Sequence, residues 1–426
     1  MKKKNVFVIG MNDLNRKRIH DLPGSEECNF HELLTYEESH GAKEYNVKKI
    51  MDKATKQLDE FDDEIDAIIS FWDFPVSIMQ TILAKRYNTI ATSTQSIYFC
   101  EDKYGARVKQ AEVIQECVPG FKGFNPFEEE TVKDIDLEYP FWVKPVKSFG
   151  SHLGFKIEND ADLERAVGKM KERIKNFTDP FFELVEYSDM EFTPDQKILA
   201  IAEEIIGGHQ CTLEGYVYDG EVVIHGVIDS HTYKGMSSFS HYQYPSVLSD
   251  EVKERMTDCT RKIMKHIGFN NSVFNVEFYW DKKTDDIKLL EINPRISQSH
   301  AELFKKVDGV YNHKIILDVA LGKKPDFPVK EGSYNTAGKF FIRSFKNGII
   351  KKAPGEEEIK KVQEKYPDVI LELVAKEGNK LEDLPYQDSY SYKLGFVFLG
   401  AESGDEMKEK FEDIKEMLGY KIEEVE

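Results

Sequence analysis

The stretch FNVEFYWDKKTDDIKLLEINPRISQSH, residues Phe274–His300, decides the reading of this chain. Two runs of aliphatic and aromatic residues flank the polar segment DKKTDD, the pattern of a β-hairpin. Side chains alternate faces along a strand, so Glu277 shares a face with Asn275 and Tyr279, and Glu291 shares one with Leu289 and Asn293. A hairpin centred on Thr284 sets Glu277 directly opposite Glu291. Like charges in that relation destabilise a sheet unless something neutralises them. A divalent cation is the natural neutraliser, with Glu277, Glu291 and Asn293 as oxygen ligands of the kind magnesium prefers. Arg295, two residues further on, then faces an anion. The same residues also fit a surface hairpin whose acids face solvent, and a slip of one residue in register would separate them.

Ahead of the hairpin, Ser249 can cap a helix that carries Val252, Met256, Cys259, Ile263 and Ile267 on one face and stops at Gly268. That stripe is core. Further upstream the texture is antiparallel α+β. PFWVKPVKSFGSHLGFKI (Pro140–Ile157) reads as a strand, a Gly/Ser loop and a return strand, followed by a helix from about Asp160. ILAIAEEII (Ile198–Ile206) and TLEGYVYDGEVVIHGVI (Thr212–Ile228) add strands, with Asp219-Gly220 as a tight turn.

The amino-terminal part differs. Val6–Ile9 before Gly10, then Ile65–Trp72, then a helix over Val76–Arg86 after Pro75, suggest a small doubly wound, Rossmann-like α/β domain ending near residue 100. No GxGxxG follows Val6–Ile9, which argues against an NAD site. A helix is expected over Asp102–Val113. Beyond Pro328, strands near Lys339–Ile342, Val369–Val374 and Leu394–Leu399 and a charged helix from Gly404 make a closing α+β subdomain. The expected division is therefore 1–100, 101–330 with a lid at about 140–205, and 331–426.

A chain of 426 residues exceeds what one core usually serves, in keeping with that division. The net charge of −19 disfavours nucleic acid and anionic membranes as partners, while leaving room for a local basic funnel. Cys28, Cys100, Cys117, Cys211 and Cys259 are scattered without CxxC spacing, so neither a disulfide framework nor a zinc site is indicated. The apolar run at the start is too short for a signal peptide, and no later run reaches the ~20 apolar residues of a membrane span. A cytoplasmic location is expected.

Three further segments carry chemistry. Lys144 ends an apolar strand beside a loop with Gly150 and Gly154, where backbone amides and a fixed ammonium could meet phosphate, although the P-loop pattern GxxxxGK[ST] is absent. Lys103 lies near the start of its helix. In AEEIIGGHQCTLEG (Ala202–Gly215) acids end a strand, Gly207-Gly208 break it, and Glu214 follows. Backbone at such a strand end can read an adenine edge.

Taken in order, Lys103, Lys144 with its loop, the EE-x-x-G segment, and Glu277, Glu291, Asn293 and Arg295 resemble the ATP-grasp superfamily over roughly residues 100–330. The resemblance implies a Rossmann-like domain followed by α+β subdomains that grip ATP. It makes Lys103 and Lys144 phosphate ligands, places Ser151 and Gly154 in the small-residue loop, and makes Glu203, Glu204 and Ile206 part of the adenine hinge. Gln210 stands where the family usually has an acid, so Gln210 or Glu214 shares the ribose role. Glu277, Glu291 and Asn293 become ligands of magnesium or manganese, and Arg295 stabilises an acyl phosphate.

Biotin carboxylases share this layout, but where they carry a base glutamate after the arginine this chain has Ser299. What remains is similar to carboxylate–amine ligases, particularly those joining amino acids. Small carboxylate and amine substrates follow, with Ser297, His300, His241 and SSFSHYQYPS (Ser237–Ser246) as candidate contacts and a homodimer as the common assembly. An acid–thiol ligase, a carboxylase and a nucleotide-binding regulatory protein are the alternatives.

Overall fold

The computed structural model describes residues 2–41, 45–148, 152–188, 190, 197–236, 238–384 and 391–424. In strand β1 (Lys4–Met11) every residue after Lys4 is buried, as expected of a strand covered on both faces. It pairs in parallel with β2 (Cys28–Thr35) and β3 (Ala67–Ser70), giving the order β2-β1-β3. The helix Val76–Arg86 follows β3 as expected. Gly10, at the end of β1, has φ +66, and its carbonyl oxygen accepts from Trp72 Nε1 at 2.7 Å, so the turn out of the strand closes under that ring.

The second sheet contains β4 (Phe121–Phe124), β5 (Phe141–Pro145), β6 (Phe155–Ile157) and β7 (Ala200–Glu204), all antiparallel, in the order β4-β7-β5-β6. Alternation along β5 buries Phe141, Val143 and Pro145 and leaves Lys144 partly exposed on the opposite face. The sheet also takes in Phe121–Phe124, outside the lid expected at about 140–205.

The third sheet has eight strands: β8 (His209–Tyr218), β9 (Glu221–Thr232), β10 (Phe239–Tyr244), β11 (Ser272–Asp281), β12 (Asp286–Asn293) and β13 (Thr336–Ser344), together with two later strands. A separate two-stranded sheet pairs β14 (Gly348–Lys352) with β17 (Lys421–Glu424), while β15 (Ile370–Leu373) and β16 (Tyr392–Ala401) complete the large sheet. Its order is β12-β11-β8-β9-β10-β13-β16-β15. The boundary expected near 330 does not interrupt it, because β10 and β13 pair directly across that point. The carboxy-terminal segment is thus a continuation of the central sheet.

The two faces of this sheet differ. The helix Asp250–His266, capped by Ser249, packs Val252, Met256, Cys259 and Ile263 against one of them. On the other, the helix Ala301–Asp308 covers Ile228, Tyr244, Ala337 and Phe398 with Leu303, Phe304 and Val307. Beyond the reach of that helix the same face turns polar, presenting Gln210, Thr212, Asn275, Glu277, Glu291 and Asn293 from β8, β11 and β12. Surface left uncovered by apolar packing is where a polar ligand can bind.

The five cysteines are buried and free, yet the thiols of Cys117 and Cys259 lie 2.6 Å apart. Their separation in sequence hides that pair. No helix among the described residues is long and apolar enough to cross a membrane.

Candidate active site

Glu277 does pair with Glu291, but by a different route from the expected hairpin. The turn is the four-residue segment 282–285, which closes between Asp281 and Asp286 and would by itself set Glu277 opposite Leu290. A β-bulge at Leu290 shifts the register by one residue and brings the two carboxylates into line. The carbonyl oxygen of the bulged Leu290 accepts from Arg107 Nη2 at 2.7 Å, and Arg107 Nε donates to Glu203 Oε1 at 2.6 Å. One guanidinium therefore ties β12 to the end of β7.

Glu277 accepts from Gln210 Nε2 at 2.8 Å and from Asn293 Nδ2 at 3.3 Å. Burial, reinforced by the charge of Glu291, pushes its carboxyl up to about 8. Among the described residues the Glu291 carboxylate has no hydrogen-bond or ion-pair partner. Two carboxylates, one strained upward and one unpaired, with an amide beside them, fit a divalent cation.

Arg295 reaches across to the first domain. Its Nε and Nη2 donate to Asp73 Oδ2 at 3.0 and 2.8 Å, and Nη2 also reaches Asn293 Oδ1 at 3.3 Å. Although burial works the other way, Arg295 and Lys147 hold the Asp73 carboxyl below its usual range.

On the second sheet, Lys144 Nζ lies 2.5 Å from Glu203 Oε2. Glu203 is only 5% exposed; burial opposes its charge, but Arg107 and Lys144 hold its carboxyl down to about 2. The helix Lys103–Val113 is capped by Asp102, and its first residue sends Nζ to the Ser148 carbonyl oxygen at 3.3 Å. Burial pushes the Lys103 ammonium down to about 8 against the pull of Glu291, with Lys147 and Lys144 adding to the fall. Lys147 itself pairs with Glu101 at 3.1 Å. Lysines from the helix and from the end of β5 thus share an electrostatic environment with the acid of β12.

Several expected positions have other surroundings. Gln210 is held between Glu277 and the Tyr279 hydroxyl, which donates to Gln210 Oε1 at 2.9 Å, so it belongs to the acid pair rather than to the hinge. Glu214 is 0% exposed and accepts from Ser297 N at 3.1 Å and His300 Nδ1 at 2.8 Å. It anchors the loop after Asn293 from beneath and has no surface to offer a ribose. His241 lies on the opposite face of the sheet from Glu277, its ring stacked on His231 at 4.3 Å and on Phe340 at 4.7 Å, because it precedes Tyr242 by one residue and strand alternation turns it away. Ser297 and His300 remain in the loop beside Arg295. Glu203 turns inward to its cations, while Glu204 accepts from Gly120 N at 2.7 Å. The loop of Ile205 to Gly208, with Ile206, joins the second sheet to the third; Gly208 has φ +120, and a Cβ there would meet the Trp280 carbonyl oxygen at 2.3 Å. Gly154 directly precedes β6; Ser151 and Ser237 lie outside the described residues.

Asp73, Arg107 and Lys147 were absent from the expected set. Arg107 follows Lys103 by four residues on one helix, the spacing of a shared face. Asp73 lies three residues past β3, where ligand groups gather at the carboxyl ends of parallel strands.

Residues 137–302 match the family profile described as an ATP-grasp domain. The large chain of carbamoyl phosphate synthase from Caldanaerobacter subterraneus subsp. tengcongensis is 26% identical over 259 residues, which cover 58% of this chain and 21% of that one. The chain spans about a fifth of the length of that relative. Among solved structures, an L-amino acid ligase from Bacillus licheniformis superposes with a TM-score of 0.76 at 19% identity, covering 100% of both chains. A biotin carboxylase from Campylobacter jejuni superposes at 0.61 with 16% identity, covering 98% of this chain and 92% of its own. Residues 137–302 are an ATP-grasp domain, and the chain as a whole has the ATP-grasp fold.

Proposed function

We propose that the protein is an ATP-dependent ligase that activates a substrate carboxylate as an acyl phosphate and joins it to an amine, releasing ADP and phosphate. The observation that carries this reading is the opposed pair Glu277 and Glu291 with the anchored Arg295 four residues beyond Glu291. Lys103 and Lys144 hold the phosphates of ATP, and the backbone of the segment Glu203 to Ile206 meets the adenine. Glu277, Glu291 and Asn293 would hold magnesium or manganese, which when bound neutralises charge on the phosphate oxygens. Arg295, oriented by Asp73, faces the anion that develops as the substrate carboxylate attacks the γ-phosphate. The amine then displaces phosphate, so the chain need supply no covalent nucleophile.

Ser299 disfavours a carboxylase, since its hydroxyl accepts from Lys339 Nζ at 3.0 Å and cannot replace a carboxylate base. The test is ADP release with a panel of carboxylic and amino acids, each alone and with amines, thiols or bicarbonate. Amine-dependent ADP formation supports the ligase. Thiol-dependent or bicarbonate-dependent ADP would replace it by an acid–thiol ligase or a carboxylase, and nucleotide binding without turnover would point to a regulatory protein.

A further inference from the structure

Most buried cations in this molecule come with carboxylates. Five cationic side chains are buried among the described residues: Arg18, Arg107, Lys147, Lys306 and Lys339. Arg18 pairs with Glu302 at 3.0 Å, Arg107 with Glu203 at 2.6 Å and Lys147 with Glu101 at 3.1 Å. Lys306 ends on the Asp368 carbonyl oxygen. Lys339 has no acid. It is 8% exposed, and among the described residues no carboxylate lies within ion-pair distance of its ammonium. Its Nζ donates to Ser299 Oγ at 3.0 Å and stands 4.3 Å from the ring centre of Phe396, 5.2 Å from Phe398 and 5.7 Å from Phe341. Rings stabilise a cation but do not neutralise it. Burial pushes the ammonium down to about 8, Glu372 opposing and Arg18 and Lys393 adding to the fall.

Its place in the sheet gives the uncompensated charge a purpose. Lys339 pairs in register with Tyr242, and Tyr242 with Ser230, which pairs with Gln210; directly opposed residues share a face, so Lys339 lies on the face of Glu277. The Tyr242 ring stands edge-on to His300 at 5.3 Å. Ser299, the hydroxyl that holds Lys339, is four residues beyond Arg295 in the same loop. The carboxylate undergoing phosphorylation must sit beside Arg295 and the acids of β11 and β12, so an anion meeting Lys339 is a different group.

Resting on the ligase reading above, we propose that Lys339, held by Ser299 and walled by Phe396 and Phe398, binds a second, non-reacting carboxylate carried by one of the substrates. The amine is the favoured carrier, which makes it an amino acid or the end of a peptide; a dicarboxylic acid substrate is the other source of the same chemistry.

The experiment is calorimetric titration of the full chain, in the presence of magnesium and a non-hydrolysable ATP analogue, with matched probes. One arm compares L-amino acids with their carboxamides, and the other compares dicarboxylic acids with their monoamides. The wild-type protein is expected to bind the carboxylate member of a pair about tenfold or more tightly than the amide. Lys339→Met should erase that preference while leaving affinity for the ATP analogue unchanged, and Lys339→Arg should keep most of it. Preference in the first arm assigns the carboxylate to the amine, and preference in the second assigns it to the acid. Should Lys339→Met fail to fold, Ser299→Ala, which frees the ammonium, is expected to weaken the preference. No preference in either arm, or a preference undiminished in Lys339→Met or in its substitute, overturns the proposal. ADP release by the wild-type protein is scored separately, so loss of the ligase reading is distinguishable from loss of the carboxylate anchor.

Discussion

Arg295 and Asp73 stand 222 residues apart in sequence and meet through two hydrogen bonds to a single carboxylate oxygen, at 2.8 and 3.0 Å. The first domain thereby aims the arginine that follows β12. In the proposed reaction its role is positioning, since Asp73 touches Arg295 and the guanidinium would meet the substrate.

Replacing Asp73 by Asn keeps the shape and removes the charge that orients Arg295. The expected result is a fall in kcat of roughly 10- to 100-fold, the size of effect that misplacement of a reacting group by about 1 Å produces, with KM for ATP little changed. Asp73→Glu should recover part of the loss. Steady-state kinetics of both variants decide the matter; an unaltered kcat in Asp73→Asn would remove the first domain from the reaction.

Glu291→Gln should abolish ADP formation in a folded protein. Because the wild-type strand pair opposes two carboxylates, the variant is also expected to melt at the same or a higher temperature when magnesium is absent. The extra stability that magnesium confers on the wild-type chain should shrink in the variant, since a ligand stabilises only through the affinity it has for the native state. Scanning calorimetry with and without magnesium reads this independently of turnover.

Glu203 contributes to the loss of stability in acid. Its carboxyl is held at about 2 in the folded state against an ordinary value of 4.5, so its contribution is fully present above pH 4.5 and is lost as pH falls towards 2. The shift corresponds to roughly 3 kcal/mol at most. Glu203→Gln leaves Arg107 and Lys144 without their acid; stability at neutral pH should fall by about 3 kcal/mol or more, and the slope between pH 4.5 and 2 should flatten. Chemical denaturation across that range would show a retained slope if the pairing were unimportant.

His225 adds an acid sensitivity of the same sign at higher pH. Both its ring nitrogens are shut from solvent without a partner among the described residues, and burial pushes its pKa down to about 3 from 6.5. The unfolded chain takes up this proton below 6.5 and the folded one does not, so stability falls as pH drops from 6.5 towards 3. His225→Leu should remove that slope and raise stability at neutral pH by about 1 kcal/mol, because an unsatisfied polar ring next to Phe304 and Phe327 is replaced by an apolar one. Urea titrations at several pH values check both statements.

Much of the framework was legible in local pattern. The polar segment between FNVEFYWD and IKLLEIN marked the hairpin that carries Glu277 and Glu291, the stripe from Val252 to Ile267 marked a helix packed on the sheet, and Pro75 marked the start of the helix Val76–Arg86. These features depend on neighbours within about one turn or one strand, which a sequence displays directly. The order of two lysines, a Gly/Ser loop and paired acids then sufficed to point to the ATP-grasp domain found over 137–302.

The tertiary structure decided what depends on partners far away in the chain. The bulge at Leu290, which brings the acids into register, leaves its carbonyl to Arg107, a residue 183 positions away. Glu214 and Gln210 have the right chemistry for a ribose, but packing turns one under the Ser297 loop and the other onto Glu277. His241 differs from Tyr242 by a single step along β10, and that step carries it to the other face. Local pattern therefore showed which elements exist and, wherever a strand runs without interruption, which of its residues share a surface, because backbone geometry repeats at fixed periods; at the bulge that rule fails, and Leu289 turns to the face of Phe278 instead of that of Glu291. Which of those side chains face a ligand, which are spent on one another, and which charge is left without a partner were settled only when distant strands came together, since hydrogen bonds and ion pairs act over a few ångströms and take no account of separation along the chain.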